Sequence, residues 1–187
     1  MTTSSIEHPC DYEGIIREET PQAERIARYF KEMRWHNVAD VGCGPGIYVK
    51  ALNGMGVAAF GVDIDPRAAR AEGCFVEDIV LKANAPFACA NIVLSLEVGE
   101  HIPEEHSWSY VRYIVNCLPS VVVFSAAQPG QGGDGHINCQ TKSYWCSRFN
   151  WLGYRYNAEA TDHFINYMRS GYHMGWLANN AMIFSRQ

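Results

Sequence analysis

VADVGCGPGIYVKAL, residues 38–52, is the most informative segment of the chain. A short, mostly apolar run predicts a buried strand, a cluster of glycines follows, and a helical pattern begins directly after it. Gly42, Gly44 and Gly46 let the backbone turn sharply and approach a ligand without an intervening Cβ atom. The helix start adds oriented N–H groups at the carboxyl end of the strand, where open α/β sheets bind ligands. A tight strand-to-helix turn without any ligand is the alternative interpretation of this segment.

Outside this segment, strand-like and helical patterns alternate along the chain. The first helix is predicted to begin at Thr20-Pro21, because proline is favoured at the first helical position, and residues 1–19 are predicted to form an N-terminal arm. The alternation predicts one α/β domain over residues 1–187, with a mostly parallel sheet covered by helices on both faces. The predicted strands are residues 38–41, 58–62, 74–77, 91–98, 120–126, 155–158 and 181–185.

Acidic residues end the second and third predicted strands. Asp63 follows Gly42 by 21 residues, and an acid at this position can accept both hydroxyls of a ribose. Asp78 would lie near an adenine amino group, although an ordinary solvated turn acid explains it equally well. Asp65 directly precedes Pro66, so that helix capping explains it without a ligand. The order of glycine loop, Asp63 and Asp78 predicts a site for a nucleoside-containing ligand.

The details of the glycine loop distinguish between two cofactors. A dinucleotide site has the pattern G-x-G-x-x-G, whereas here Gly46 comes one residue earlier and Ile47 stands in the place of the third glycine. Asp40 precedes the loop, and its carboxylate would repel a pyrophosphate but attract the α-amino group of a methionine moiety. These features favour S-adenosylmethionine (SAM) over a nicotinamide dinucleotide.

Four segments, DVGCGPG, GVDIDP, EDI and IVLSLEVGEHIP, resemble the successive motifs of the class I SAM-dependent methyltransferases. The resemblance implies the Rossmann-like fold of that family, with a seven-stranded, mostly parallel sheet whose last strand, near residues 181–185, is antiparallel. It also implies that SAM is the methyl donor and S-adenosylhomocysteine (SAH) the product. The implied cofactor-binding residues are Asp40, Gly42, Cys43, Gly44 and Gly46 in the first motif, Asp63 and Ile64 in the second, Asp78 and Ile79 in the third, and Ser95, Leu96 and Glu97 in the fourth.

Methyl transfer is an in-line displacement that needs a base when the acceptor is a hydroxyl or a protonated amine. Glu97, Glu100 and His101 follow the fourth predicted strand, where a substrate would meet the cofactor. His101 can act as a base near neutral pH; a structural histidine at a helix start is the alternative.

The glycine-rich stretch QPGQGGDGHINCQ, residues 128–140, lies within a predicted substrate or lid loop over residues 127–140. It resembles a GQGGxGHxN loop of small bacterial and phage methyltransferases. His136 is its strongest base and is predicted to be catalytic ahead of His101, while Asn138 could orient it or a substrate. A flexible surface loop is the alternative. Nothing in the spacing demands a metal, and none is predicted, although a diol-orienting divalent metal becomes an option if both histidines converge with Glu97 or Glu100.

Composition sets the expected partners and location. The net charge of −5 argues against non-specific nucleic-acid binding, and the sequence shows neither a signal peptide nor an apolar run long enough to span a membrane. The odd number of scattered cysteines indicates reduced thiols and a cytoplasmic location. We expect a monomer or homodimer that O-methylates a small molecule or glycan, with N-methylation as a variant. A nicotinamide-dependent oxidoreductase and a non-catalytic cofactor-binding module are the rival hypotheses.

Overall fold

A seven-stranded sheet forms the centre of the part of the chain that this computed structural model describes, residues 11–82, 90–170 and 175–187. Its order is β3-β2-β1-β4-β5-β7-β6, and β7 pairs antiparallel with both neighbours, whereas the other pairs of strands are parallel. The predicted fold class is therefore confirmed. The strands are β1 Val38–Val41, β2 Ala59–Asp63, β3 Cys74–Val76, β4 Ile92–Leu96, β5 Val121–Ser125, β6 Tyr154–Tyr156 and β7 Met182–Arg186.

Helices cover both faces of this sheet because successive strand residues point to opposite sides. In β5, Val123 packs in one core cluster, and Val122 and Phe124 pack in the other. The first cluster lies beneath α1, α2, α5 and α6, and the second lies beneath α3 and α4. The helices are α1 Tyr12–Glu32, α2 Ile47–Gly54, α3 Ser107–Val115, α4 Lys142–Trp151, α5 Ala158–Arg169 and α6 Gly175–Asn180.

The predicted start of the first helix is wrong. Helix α1 begins at Tyr12, is capped by Asp11 through a bond from the Gly14 N–H, and contains Pro21 in its interior. A proline inside a helix costs about 3 kcal/mol, but the buried face on both sides of Pro21 packs against the core and outweighs that cost. The predicted N-terminal arm is therefore helical over residues 12–19, and residues 1–10 lie outside the described part of the chain.

The segment after β4 differs from the helix that its sequence predicts, which begins at Pro103 and has Trp108, Val111, Val115 and Leu118 as its apolar positions. A 3-10 turn at Glu104–His106 precedes α3, which begins at Ser107 rather than at Pro103. Trp108 and Leu118 are exposed, so that the expected apolar face of this helix is wrong at these two positions. In the described ranges, no helix has both the length and the apolar character needed to cross a membrane.

Candidate active site

The strand order creates a crevice between β1 and β4. From β1 the chain continues outward through β2 and β3, and it then returns to place β4 on the other side of β1. Ligands of open α/β sheets bind outside the carboxyl ends of the strands at such a switch point. The glycine loop follows β1 at this edge, and Glu97 follows β4 at the same edge.

The glycine loop has the backbone conformation that its sequence requires. Gly42, Gly44 and Gly46 have φ angles of +81°, +49° and +76°, which side-chain-bearing residues rarely adopt. The Gly42 N–H donates to the carbonyl oxygen of Val62 at 2.8 Å, which fixes the loop against the end of β2. A Cβ atom on Gly42 would lie 2.4 Å from Cγ2 of Val98, while one on Gly44 would meet nothing within 4 Å.

This difference makes the two glycines a matched pair. Gly42→Ala should destabilise the protein by at least about 1 kcal/mol more than Gly44→Ala, since both introduce an unfavourable φ but only Gly42→Ala also overpacks against a stiff valine. Urea unfolding of both variants measures the difference. Equal losses would mean that Val98 moves aside without cost.

Asp63 connects the end of β2 to the glycine loop. Its Oδ2 accepts the Gly44 N–H at 2.7 Å, and its Oδ1 accepts the Asp65 N–H at 2.8 Å. Burial raises the pKa of Asp63, although the backbone N–H bonds oppose the rise. Asp65 caps the turn at Pro66–Arg70 by accepting the Arg67 N–H, and its bond to the Arg67 side chain lowers its pKa. The capping interpretation of Asp65 is therefore confirmed.

Asp40 is a buried carboxylate beneath the same loop. Its side chain is 2% exposed, and its Oδ2 has no hydrogen-bond partner among the described residues. Burial, together with the charges of Cys74, Asp63 and Glu19, raises its pKa well above the usual range. An unpartnered buried carboxylate oxygen is destabilising by itself, and an ammonium group is the type of ligand that would satisfy it.

Further carboxylates give the crevice an acidic field. Glu19 of α1 accepts the Tyr48 hydroxyl at 3.0 Å, and burial raises its pKa, with the charges of Glu97 and Glu18 adding to the rise. Glu19 in turn raises the pKa of Asp40. Because like charges at short range disfavour further negative charge, this arrangement favours a cationic ligand over a pyrophosphate.

The other predicted cofactor-binding residues differ in whether their side chains are buried or can reach a ligand. The buried Ser95 hydroxyl is hydrogen-bonded to the Val41 carbonyl oxygen and to the Tyr110 hydroxyl. The side chains of Cys43 and Ile79 are buried in the core as well. Only the backbones of these three residues could therefore reach a ligand. Leu96 is 8% exposed, whereas Ile64 is 56% exposed beside Asp63. Asp78 accepts the N–H groups of Val80 and Leu81, an arrangement that an ordinary turn also produces.

A cavity of about 700 Å³ opens on the far side of Glu97. None of the loop glycines lines it, and its size is typical of small-molecule sites, about 300–1,000 Å³. Glu97 has a φ of +52° and is held by Asn180, whose Nδ2 donates to both carboxylate oxygens at 3.2 Å. Residues that line the cavity include Ile15, Glu19, Glu97, His101, His136 and Trp176.

His101 and His136 meet at this cavity, although 35 residues separate them. Their ring centroids are 5.0 Å apart. Nδ1 of His101 lies 3.1 Å from the carbonyl oxygen of Gly135, and Nδ1 of His136 lies 3.4 Å from that of Gln131. A carbonyl oxygen only accepts, so each of these hydrogen bonds requires the proton on Nδ1, and in that neutral tautomer Nε2 is the basic nitrogen.

Glu100 lies behind the two histidines and is completely buried. Its Oε1 is 3.9 Å from Nε2 of His136. Burial, with a contribution from the charge of Glu97, raises the pKa of Glu100 to about 8. The structure thus brings together both predicted catalytic histidines and both glutamates of the segment after β4.

The predicted substrate loop is anchored next to Glu100. The N–H groups of Ile137 and Asn138 both donate to the Glu100 carbonyl oxygen at 2.9 Å. The Asn138 side chain is buried and accepts from Gln140 at 2.9 Å, so the contacts found here hold the loop rather than orient His136.

Sequence reasoning does not place three residues at this site. Glu19 falls in the predicted N-terminal arm, and its place on α1 follows only once Pro21 is accepted within the helix. Asn180 and Trp176 belong to α6, for which the sequence analysis predicted no element. The pairing of Asn180 with Glu97 has no local sequence signal, because it joins residues 83 positions apart.

No family model matches the sequence, and no curated protein matches it. Solved structures do match. Magnesium protoporphyrin IX methyltransferase ChlM from Synechocystis PCC 6803, with bound SAH, has a TM-score of 0.65 at 14% identity over 94% of this chain and 86% of that chain. SAM-bound CalS10, an amino pentose methyltransferase from Micromonospora echinaspora, has a TM-score of 0.68 at 14% identity over 94% and 96%. The small RNA methyltransferase HEN1 has a TM-score of 0.62 at 17% identity over 90% of this chain and 25% of that chain.

These similarities confirm, at the level of the fold, the resemblance that the sequence motifs indicate. The chain has the fold of the class I SAM-dependent methyltransferases.

Proposed function

We propose that this chain is a SAM-dependent methyltransferase that transfers a methyl group to a hydroxyl of a small-molecule or glycan acceptor. The observation that carries the proposal is the buried Asp40 carboxylate, which has an unpartnered oxygen at the glycine loop. SAM has an α-ammonium and a sulfonium, and both suit the acidic crevice. The two negative phosphates of a nicotinamide dinucleotide do not, which disfavours the oxidoreductase alternative.

Each part of SAM has a candidate residue in this site. Asp40 would bind the α-ammonium group, and Asp63 would bind the ribose hydroxyls while it holds the glycine loop through Gly44. Ile64, whose side chain is exposed beside Asp63, would pack against the adenine, and Asp78 would bind its amino group. The matched structures of ChlM and CalS10 contain SAH and SAM, respectively, which supports the same cofactor here.

The chain itself has two tasks in this reaction. Bound SAM supplies the sulfonium-activated methyl group, and the protein positions the acceptor oxygen in line with it and removes the hydroxyl proton. The cavity beyond Glu97 would hold the acceptor. Nε2 of His136 is the proposed proton acceptor, and Nε2 of His101 is the second candidate. An amine acceptor would use the same arrangement.

The fold similarities do not select an acceptor class, because the matched proteins methylate a porphyrin, an amino pentose and a small RNA according to their descriptions. The net charge of −5 continues to favour a small molecule or glycan over a nucleic acid. The cytoplasmic location, the single domain and the oligomeric state stay predictions.

Calorimetric titration with SAH, and with NADH as the comparison ligand, tests the cofactor. We expect saturable binding of SAH alone, and at least about 10-fold weaker SAH binding in Asp63→Ala, because hydrogen bonds to a charged group contribute about 1.5–3 kcal/mol each. Asp65→Ala is the matched control, since it removes a neighbouring carboxylate that caps a turn and pairs with Arg67. A protein that binds NADH but does not bind SAH would contradict the proposal.

A further inference from the structure

Three side chains, two in the wall of the cavity and one behind it, have the composition of a metal site. Glu100, His101 and His136 each offer one ligand atom, and these atoms all lie within 4.8 Å of one another. Glu100 and His101 come from the 3-10 turn Gly99–His101 after β4, and His136 comes from the loop after β5. Two separate parts of the chain therefore supply the three ligands.

The state of the Glu100 carboxylate is an independent indication of a ligand. The residue is 0% exposed, and no hydrogen bond of normal geometry reaches either carboxylate oxygen from the described residues, although the N–H groups of Glu100 and Ala127 and the Glu97 carboxyl lie near it. Buried carboxylates are normally hydrogen-bonded, paired or bound to a metal, because water no longer solvates them. Nε2 of His136, 3.9 Å from Oε1, is too far away for a hydrogen bond.

The histidines are oriented as metal-binding histidines usually are. Each donates its Nδ1 proton to a backbone carbonyl oxygen, His101 to that of Gly135 and His136 to that of Gln131. Such a bond fixes the ring and places the lone pair of the neutral tautomer on Nε2, the nitrogen that binds the metal in this arrangement. For His136, Nε2 is also the nitrogen that faces Glu100.

We propose that Glu100, His101 and His136 bind one divalent transition-metal ion at the acceptor end of the cavity. Two imidazoles and one carboxylate suit Mn²⁺, Fe²⁺, Co²⁺ or Zn²⁺ better than Mg²⁺ or Ca²⁺. Three protein ligands beside an open cavity leave coordination positions for oxygen atoms of another molecule.

The consequence for the acceptor rests on the proposed function. Two adjacent hydroxyls of an acceptor could occupy the open positions, and the cation would ease loss of a proton from one of them to solvent. That oxygen then forms the bond to the methyl carbon as the carbon–sulfur bond breaks, and sulfur keeps the electron pair as SAH leaves. In the metal-bound site the Nε2 atoms of His101 and His136 are both metal ligands. His136 is then not the proton acceptor, because the metal-assisted loss of the proton to solvent takes the place of that step.

Mn²⁺ binding to the tag-free, chelator-treated protein tests the metal site without any acceptor. The electron paramagnetic resonance signal of free Mn²⁺ should fall until one equivalent is bound. Glu100→Gln and His136→Ala should each weaken Mn²⁺ binding at least about 10-fold. Substitution of a residue that only hydrogen-bonds to a metal ligand already has an effect of this size. His106→Ala is the control, because this exposed histidine is close in sequence but outside the cluster.

Two further measurements keep the outcomes distinct. Glu100→Gln removes a buried charge and should leave the metal-free protein folded, with an unfolding temperature that Mn²⁺ no longer raises. Absence of saturable Mn²⁺ binding, or equal binding by Glu100→Gln, His136→Ala and the unsubstituted chain, would overturn the metal site. SAH titrations of the same samples test the methyltransferase proposal separately, so that either proposal can fail alone.

Discussion

Asp40→Asn is expected to stabilise the ligand-free protein while weakening SAH binding at least about 30-fold. The carboxylate is buried with an unpartnered oxygen, so that neutralising it removes an uncompensated charge. The same change deletes one partner of a buried pair with the ligand ammonium, which costs about 2–5 kcal/mol. Calorimetry measures the affinity. Thermal unfolding measures the stability, where a gain of 1 kcal/mol corresponds to about 2–4 °C for a chain of this size.

The stability effect of Asp40 has a predictable pH dependence. Its pKa is raised in the folded protein by burial and by the charges of Cys74, Asp63 and Glu19, so the folded state binds the proton more tightly than the unfolded state. The destabilisation is absent below the ordinary aspartate pKa and grows as the pH rises above it. The stability difference between Asp40→Asn and the unsubstituted chain should therefore widen from pH 5 to pH 8.

Asp65→Asn is the matched control, because the pKa of Asp65 is lowered by its bond to Arg67. The effect on stability is therefore opposite to that of Asp40, because the ionised Asp65 carboxylate stabilises the fold. Its substitution should reduce stability at neutral pH and leave SAH binding nearly unchanged. If Asp40→Asn lowered stability as Asp65→Asn does, or bound SAH normally, Asp40 would be a structural residue rather than a ligand for the cofactor.

The sequence predicted best those features that depend on local chemistry. The glycine loop after β1 is predictable because glycine adopts positive φ angles far more readily than other residues, and β5 because a run of branched residues is typical of a strand buried on both faces. The start of α1 was missed because the effect of Pro21 is local, whereas the packing that outweighs it comes from the rest of the fold. Helix α5 is absent from the sequence predictions, although its sequence does carry a helix signal. Phe164 and Met168 are buried at a spacing of four residues, and Asn157 caps the start of the helix.

The site was predicted residue by residue but not as an arrangement. His101 and His136 were singled out separately, and no sequence spacing indicates that two loops bring their rings to 5.0 Å. The complete burial of Glu100 is contrary to the general tendency of glutamate to be exposed. It arises because the loop after β5 closes over this residue and bonds to its carbonyl oxygen through Ile137 and Asn138.

Trp145→Ala is expected to have the largest effect on stability. Trp145 is fully buried between α4 and the sheet, with ring contacts to Tyr110, Phe124 and Tyr144 at centroid distances of 5.0–6.3 Å. Removing a buried tryptophan costs about 3–5 kcal/mol through lost burial and the cavity left behind. For a chain of this size the unfolding temperature should fall by about 6–20 °C.

Trp151→Ala is the control for this prediction, since Trp151 lies at the end of the same helix but is 70% exposed. It should cost no more than about 1.5 kcal/mol, because its ring contact is with the exposed Trp108 at 5.5 Å and the rest of its surface faces solvent. Trp145 also fills the space at Gly99, where an added Cβ atom would lie 2.8 Å from its ring, and Gly99 directly precedes Glu100. Trp145→Ala should therefore weaken Mn²⁺ binding even at temperatures where the protein is folded. Normal Mn²⁺ binding in a destabilised Trp145→Ala protein would mean that the turn holding Glu100 and His101 does not depend on this packing.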